Sequence, residues 1–290
     1  MAPSTQQHLK QQKTNQTASK NIPIVLTIAG SDSGGGAGIQ ADIKAMSATG
    51  SFACSVITAI TSQNTLGVSA IYPIPLDHVA SQLDAVFTDL NIVAVKIGML
   101  ADVSIIKVVA AKLRQYEPKY IVIDPVMVAT SGDLLLKHSA ISALKETLLP
   151  LADIVTPNLP EAAALTGHAV PQSEVEMNDM MADLRALGAK AVLLKGGHLE
   201  ADENSNDLLI TQDGFELLSA KRLVTKNTHG TGCTLSSAIA SYLAQGNSLQ
   251  QSVQLGKQYI TGAIAHADEL DIGQGHGPVH HFFAGHQDVR

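Results

Sequence analysis

The stretch Ile24-Val25-Leu26-Thr27-Ile28-Ala29-Gly30-Ser31-Asp32-Ser33-Gly34-Gly35-Gly36-Ala37-Gly38-Ile39-Gln40-Ala41-Asp42 decides how the chain folds. Its first six residues read as a buried strand, and the spacing of Ile39, Ile43 and Met46 reads as the apolar face of a helix. So much glycine between a strand and a helix suits either a pocket lined by backbone or a flexible linker. A linker fits poorly, because the loop separates two patterned elements and not two blocks of different composition. The dinucleotide fingerprint fails here: counted from Gly34 it needs glycine at position 39, where isoleucine stands. No Gly-Lys-Ser/Thr of a P-loop occurs anywhere in the chain.

Working outward, strand-like runs are predicted near 23–30, 54–61, 93–98, 120–124, 153–156, 191–195, 207–211 and 215–219. Helical spacing appears over 77–90, 103–116, 139–149, 177–188 and 248–267. That alternation predicts an α/β fold, a doubly wound, mostly parallel central sheet with helices on both faces. Residues 22–290 are expected to form one domain. Residues 1–21 are polar with almost nothing apolar to bury, so a disordered tail is expected there.

With 290 residues and 45% apolar content, the chain can bury a large core. The formal net charge of −7, with no basic stripe, argues against a nucleic-acid partner. No run of about 20 apolar residues suggests a membrane span. The two cysteines, Cys54 and Cys233, are too few for a disulfide framework, so a cytoplasmic protein is expected. Cys54, in an apolar run, reads as core.

A second glycine turn, Asn227-Thr228-His229-Gly230-Thr231-Gly232-Cys233-Thr234, opens directly into an apolar helical face at Leu235, Ala238, Ile239, Tyr242 and Leu243. First-turn N–H groups lack intrahelical acceptors and carry the positive end of the helix dipole, so this turn is suited to hold phosphate. The side chain facing such an anion is the Cys233 thiol. An ordinary glycine-rich helix start is the plainer alternative. Further polar clusters end the predicted strands: Asp124-Pro125-Val126-Met127 after 120–123, Thr156-Pro157-Asn158-Leu159-Pro160-Glu161 after 153–155, and Lys195-Gly196-Gly197-His198 after 192–194. One open sheet brings such ends together, and ligands bind there.

Together with Lys96-Ile97-Gly98-Met99-Leu100 and Gln63-Asn64, these segments resemble the hydroxymethylpyrimidine/phosphomethylpyrimidine kinases of thiamine biosynthesis, in the ribokinase-like superfamily. The likeness covers nearly the whole chain and departs at Thr130, where many relatives carry lysine, and in the N-terminal tail. It implies ATP-dependent phosphorylation of 4-amino-5-hydroxymethyl-2-methylpyrimidine, then of its monophosphate. A pyridoxal kinase of the same cysteine-bearing branch is the nearest alternative, and a non-catalytic pyrimidine-binding module is an alternative of another class.

The resemblance assigns roles that chemistry can examine. Gln63 would match the ring nitrogen and amino group of the aminopyrimidine with two hydrogen bonds, as glutamine does for adenine. Gly30, Ala37, Asp42, Met99 and Val126 would line the same pocket, although a buried Met99 is also ordinary core filler. Gly230, Thr231 and Gly232 would hold the migrating phosphoryl group, with Cys233 as the base for the hydroxymethyl proton. A helix N-terminus is expected to lower its pKa from about 8.5. Lys195, Asn158, Thr228 and His229 would contact ATP, and Asp124 and Glu161 would hold Mg²⁺. Either acid could instead cap a helix or pair with a lysine. The late histidines His276, His280, His281 and His286 lack metal-ligand spacing and are expected in a solvated terminal loop. A homodimer is expected by the same resemblance.

Overall fold

The computed structural model describes residues 22–127, 138–197, 199 and 203–285. The expected tail, the departure at Thr130, His198 and His286 lie outside these residues. The first strand, β1 (Ile24–Asp32), is followed by α1 (Gly38–Ala48), β2 (Phe52–Asn64), β3 (Gly67–Pro73), α2 (Leu76–Asp89), β4 (Ile92–Ile97), α3 (Val103–Tyr116) and β5 (Tyr120–Ile123). Next come α4 (His138–Ala143), a π-helical turn (Leu144–Leu148), β6 (Ile154–Val155), α5 (Leu159–Thr166), α6 (Glu174–Asp179) and α7 (Met181–Arg185). The chain then forms β7 (Ala191–Lys195), β8 (Asp207–Thr211), β9 (Phe215–Leu218), α8 (Thr231–Ala244) and α9 (Leu249–Ala265).

Among the described residues nine strands join one sheet in the order β3-β2-β1-β4-β5-β6-β7-β8-β9. The six strands from β2 to β7 pair in parallel, and β3, β8 and β9 are antiparallel additions at the edges. Strand side chains alternate between faces, and the core divides accordingly. Leu26, Ile28, Val95, Ile97, Ile121, Ile123, Val192 and Leu194 pack with α2, α3 and α5 to α7 on one face. Val25, Ala94, Val122, Ile154, Ala191 and Leu193 pack with α1, α8 and α9 on the other.

The predicted strands all occur, within a few residues. One strand was not predicted: β3 has no buried position, so it carries no burial alternation to read. The expected helix 139–149 divides into α4 and the π-helical turn, and 177–188 into α6 and α7. The late histidines correct another expectation. His280 and His281 are buried, because the segment packs back onto the second core face through Val279 and Phe283. The Tyr259 hydroxyl donates to the His281 carbonyl at 2.7 Å, and Thr234 Oγ1 lies 2.9 Å from His281 Nε2. Burial, with Lys44 and His280 nearby, pushes the His281 pKa down to about 4. No metal-holding group of three such side chains occurs among the described residues.

Where α1 and α8 meet the sheet, strand alternation turns Lys96 of β4 inward. It is fully buried, and its Nζ donates to both oxygens of Asp42 on α1 at 2.7 and 2.9 Å. Asp42 also accepts from Thr27 Oγ1 of β1 at 2.5 Å and from Ser237 Oγ of α8 at 2.7 Å. Burial works to lower the Lys96 pKa, but Asp42 raises it above the ordinary lysine value. The pair thus ties two strands to two helices. Lys96→Met, which strands a buried carboxylate, is expected to destabilise the protein by about 3–5 kcal/mol in urea denaturation, and a Lys96→Met/Asp42→Leu double variant to recover most of that loss.

Candidate active site

The carboxyl ends of the parallel strands, where open α/β sheets bind ligands, carry the candidate residues. The strand β1 delivers the first glycine loop, β2 ends at Gln63, and β4 leads into Gly98 and Met99. Asp124, Asn158 and Lys195 follow at the ends of β5, β6 and β7. The helix α8 points its first turn into this row. Its N-cap, Gly230, has φ +80°, and a Cβ there would stand 1.8 Å from the Gly36 carbonyl oxygen. Only glycine permits this approach, which sets the two glycine loops against each other. The Gly38 N–H lies near enough to the Cys233 sulfur to favour its thiolate, so the thiol sits at that junction.

At the other side of the turn lies a cluster of charge. Lys195 Nζ donates to Asp124 Oδ1 at 2.9 Å, and Thr156 Oγ1 donates to the same oxygen at 3.2 Å. A Cβ on Gly232 would meet Lys195 Nζ at 3.2 Å and Asp124 Oδ2 at 3.3 Å, so the ion pair lies directly beneath the helix start. Burial works to lower the Lys195 pKa, and Asp124 and Glu161 raise it above its ordinary value. Glu161 is buried as well. Burial first, then Asp124, pushes its pKa up to about 7, against the pull of Lys195.

Several candidates take positions other than those expected. Asp42 is fully buried behind the pocket with Lys96, so it supports the site from beneath and does not line its surface. Asn158 and Glu161 form a capping box on α5: Asn158 Oδ1 accepts the Glu161 N–H and Glu161 Oε2 accepts the Asn158 N–H, both at 2.8 Å. Glu161 thus uses one carboxylate oxygen in the cap and Asp124 one toward the largely buried Lys195. Thr228 contributes its carbonyl, which accepts from Thr231 N–H and Oγ1 at 3.2 and 2.7 Å. His229 sits on the Gln63 side of the turn, with Nε2 2.9 Å from Asp32 Oδ2 and 3.5 Å from Gln63 Nε2. The Cys233 pKa also reverses sign against expectation. Burial pushes it up to about 11, outweighing Lys96 and the Gly38 N–H, which lower it.

On the pocket side, Met99 Cε would lie 2.6 Å from a Cβ at Gly30, so the absent side chain makes room for the thioether. Ala37 precedes α1 and donates its N–H to Asp32 Oδ2 at 2.8 Å. Val126 borders a narrow crevice with Gly98, Asp124 and Pro125. Gln63 and Ser33 open onto a groove of about 830 Å³ floored by β2 and β3.

Sequence reasoning left Asp32 and Lys96 without roles. Asp32 accepts from the N–H groups of Gly34, Gly36 and Ala37 and faces His229, which together tie the first loop to the second. Burial works to raise its pKa, while His229 and the loop amides lower it below the ordinary carboxylate value. The signal for Lys96 was present, since a lysine inside the apolar strand Ile-Val-Ala-Val-Lys-Ile requires a buried anion.

A mostly parallel sheet with a glycine-capped helix start, a buried lysine and a thiol at its carboxyl edge is the arrangement of an α/β protein suited to phosphate. The fold is shared with solved vitamin kinases. A phosphomethylpyrimidine kinase from Clostridium difficile aligns with TM-score 0.74 and 46% identity, covering 83% of this chain and 99% of that one. A Staphylococcus aureus pyridoxal kinase, solved with AMP-PCP and pyridoxal, aligns with TM-score 0.84 and 32% identity, covering 92% and 96%. The family model for phosphomethylpyrimidine kinase matches residues 32–280. The hydroxymethylpyrimidine/phosphomethylpyrimidine kinase of Escherichia coli is 51% identical over 259 residues, 89% of this chain and 97% of that protein. The chain belongs to the phosphomethylpyrimidine kinase family.

Two pH effects follow from the site. Because the thiol is neutral at pH 7, iodoacetamide should label Cys233 more slowly than free cysteine there, and labelling should accelerate as pH approaches 11, followed by mass spectrometry. Glu161 binds its proton more tightly in the folded state, between its ordinary value of 4.5 and about 7. Folding stability should therefore fall as pH rises across that window, and Glu161→Gln should flatten this limb in denaturation curves measured against pH.

Proposed function

We propose that the chain transfers the γ-phosphoryl group of ATP to the hydroxymethyl oxygen of 4-amino-5-hydroxymethyl-2-methylpyrimidine, then phosphorylates the monophosphate to the diphosphate, for thiamine diphosphate synthesis. The observation that carries this reading is the seating of the Gly230–Cys233 turn against the Gly36–Gly38 loop, with Gln63 reached through His229. Phosphoryl transfer is mostly positioning and charge stabilisation. The first-turn amides of α8 and Lys195 serve the migrating group. Removal of one such donor typically costs about 10²–10³ in rate.

On this reading Gln63 reads the aminopyrimidine edge, and Gly30, Ala37, Met99 and Val126 shape the pocket around the ring. Asp124 and Glu161 fit a magnesium ion that takes most of its ligands from phosphate and water. Asp124 Oδ2 faces Gly232, and Glu161 has a second oxygen beyond the one used in the capping box. The ion supplies charge neutralisation for the phosphates. Thr228 acts through its carbonyl and Asn158 through its side-chain cap and backbone, shaping the helix starts against which ATP lies. One catalytic unit over 22–290 carries both steps. The exposed apolar edge at Leu66, Ile71 and Tyr72 supports a homodimer, and the two free thiols support a cytoplasmic setting.

A neutral thiol cannot take a proton, so the base role needs the thiolate, formed by release of the thiol proton to water and favoured by Lys96 and the Gly38 N–H. The first step needs that base because its nucleophile is an alcohol, whereas the monophosphate is already an anion. Cys233→Ala is expected to slow the first phosphorylation by about 10²–10⁴ and the second far less, measured separately by coupled ADP release. Equal losses would assign the thiol a positional role. The likeness to the pyridoxal kinase, at TM-score 0.84, supports a second reading. Pyridoxal turnover matching or exceeding that of the hydroxymethylpyrimidine would establish it.

A further inference from the structure

The Gln63 amide is held at both ends by groups whose hydrogens are already committed. Oε1 as placed lies 3.1 Å from Thr61 Oγ1, and Nε2 lies 3.5 Å from His229 Nε2. Thr61 is buried, and its hydroxyl donates to the Ser31 carbonyl at 2.9 Å. A hydroxyl has a single hydrogen, so toward Gln63 this oxygen is left as an acceptor. At the other end, His229 Nε2 lies 2.9 Å from Asp32 Oδ2, a carboxylate held below the ordinary pKa range and therefore acceptor-only. That ring nitrogen must carry a hydrogen, which sets a donor against the Gln63 NH₂.

Both ends thus ask for the opposite amide orientation. Rotation by 180° exchanges two atoms of nearly equal size, so nothing steric opposes it. After rotation the NH₂ donates to Thr61 Oγ1, and this bond orients the amide, because the His229 N–H is directed at Asp32 and merely ceases to oppose the NH₂. We propose that Thr61 is a specificity-determining positioning residue, which through the Ser31–Thr61–Gln63 relay locks the amide with its oxygen on the His229 side. This rests on the substrate reading above and deepens it.

The locked amide has one meaning for a bound ring. Its second N–H and its oxygen form a donor beside an acceptor, matching a ring nitrogen beside an exocyclic amino group. The amino group at C4 lies between that ring nitrogen and the hydroxymethyl arm at C5. The arm must reach Cys233, and His229 belongs to the same turn, so the amino group belongs on the side where the relay puts the oxygen. A ring with a C4 carbonyl and a protonated N3 presents the reverse pattern. A freely turning glutamine accepts either ring, whereas a locked one rejects the oxo ring, because a mismatched edge leaves polar groups unpaired.

The test compares 4-amino-5-hydroxymethyl-2-methylpyrimidine with its 4-oxo counterpart, using ATP and Mg²⁺, in wild type, Thr61→Ser and Thr61→Val. Wild type should favour the amino ring by roughly ten- to hundredfold in KM. Thr61→Ser, which keeps the hydroxyl, should retain that ratio. Thr61→Val should bring it to within a fewfold of one, raising KM for the amino ring with kcat little changed. Full discrimination in an active Thr61→Val overturns the relay and leaves the reaction standing, whereas wild type that phosphorylates neither ring overturns the substrate reading and the relay with it. Should Thr61→Val fold poorly, nitrogen-15-edited NMR of the wild-type protein gives a second readout. Nuclear Overhauser contacts from the Gln63 NH₂ to Thr61 side-chain protons are expected, and contacts only to the His229 ring would overturn the relay.

Discussion

The contact between Gly230 and the Gly36 carbonyl is the constraint from which the site follows. It is closer than any residue with a Cβ permits, and the left-handed backbone at Gly230 adds a second reason for glycine. The contact fixes where α8 begins, and therefore where its unpaired amides and the Cys233 thiol lie relative to the first loop. Gly36 is constrained in turn, since a Cβ there would stand 2.3 Å from His229 Cδ2. Asp32 holds the same junction with polar contacts, accepting from loop amides on one side and facing His229 on the other. Two loops about 200 residues apart in sequence thus behave as one rigid wall.

Beneath that wall the protein keeps two lysine–carboxylate pairs in its interior, Lys96–Asp42 and Lys195–Asp124. Buried ion pairs are poor sources of stability, because desolvation offsets most of their attraction. Their value here is positional. Each carboxylate holds its lysine in place and keeps it charged against the pull of burial. The two pairs differ in access. Lys96 is sealed, whereas Lys195 retains some exposure under Gly232.

Much of this was legible in the sequence because its signals are local. The β1 strand, the glycine loop and α1 are contiguous, and period-two or helical spacing marked the buried strands and the longer helices. What was not legible depended on partners distant in the chain. The strand β3 is exposed along its length and forms only by pairing with β2. The C-terminal histidines looked solvated until Val279 and Phe283 were seen to anchor them on α9 and its neighbours. Asp42 sits at a position the resemblance gives to the pocket, but its buried role depends on Lys96, 54 residues later. The short helix α5 was concealed behind the polar run Thr156 to Glu161, although Pro160 in its first turn and Gly167 at its end are recognisable helix signals.

The acidity of Cys233 shows why a motif alone misjudges chemistry. A helix N-terminus favours a thiolate, and so does a lysine nearby, yet the surrounding protein removes the water that would stabilise the charge, and burial wins. The same balance lifts Glu161. The two shifts share one cause, since burial outweighs the cation beside each group, Lys96 for the thiol and Lys195 for the carboxyl. The charge state of the site is therefore set by burial weighed against neighbouring charge, and not by the helix start alone.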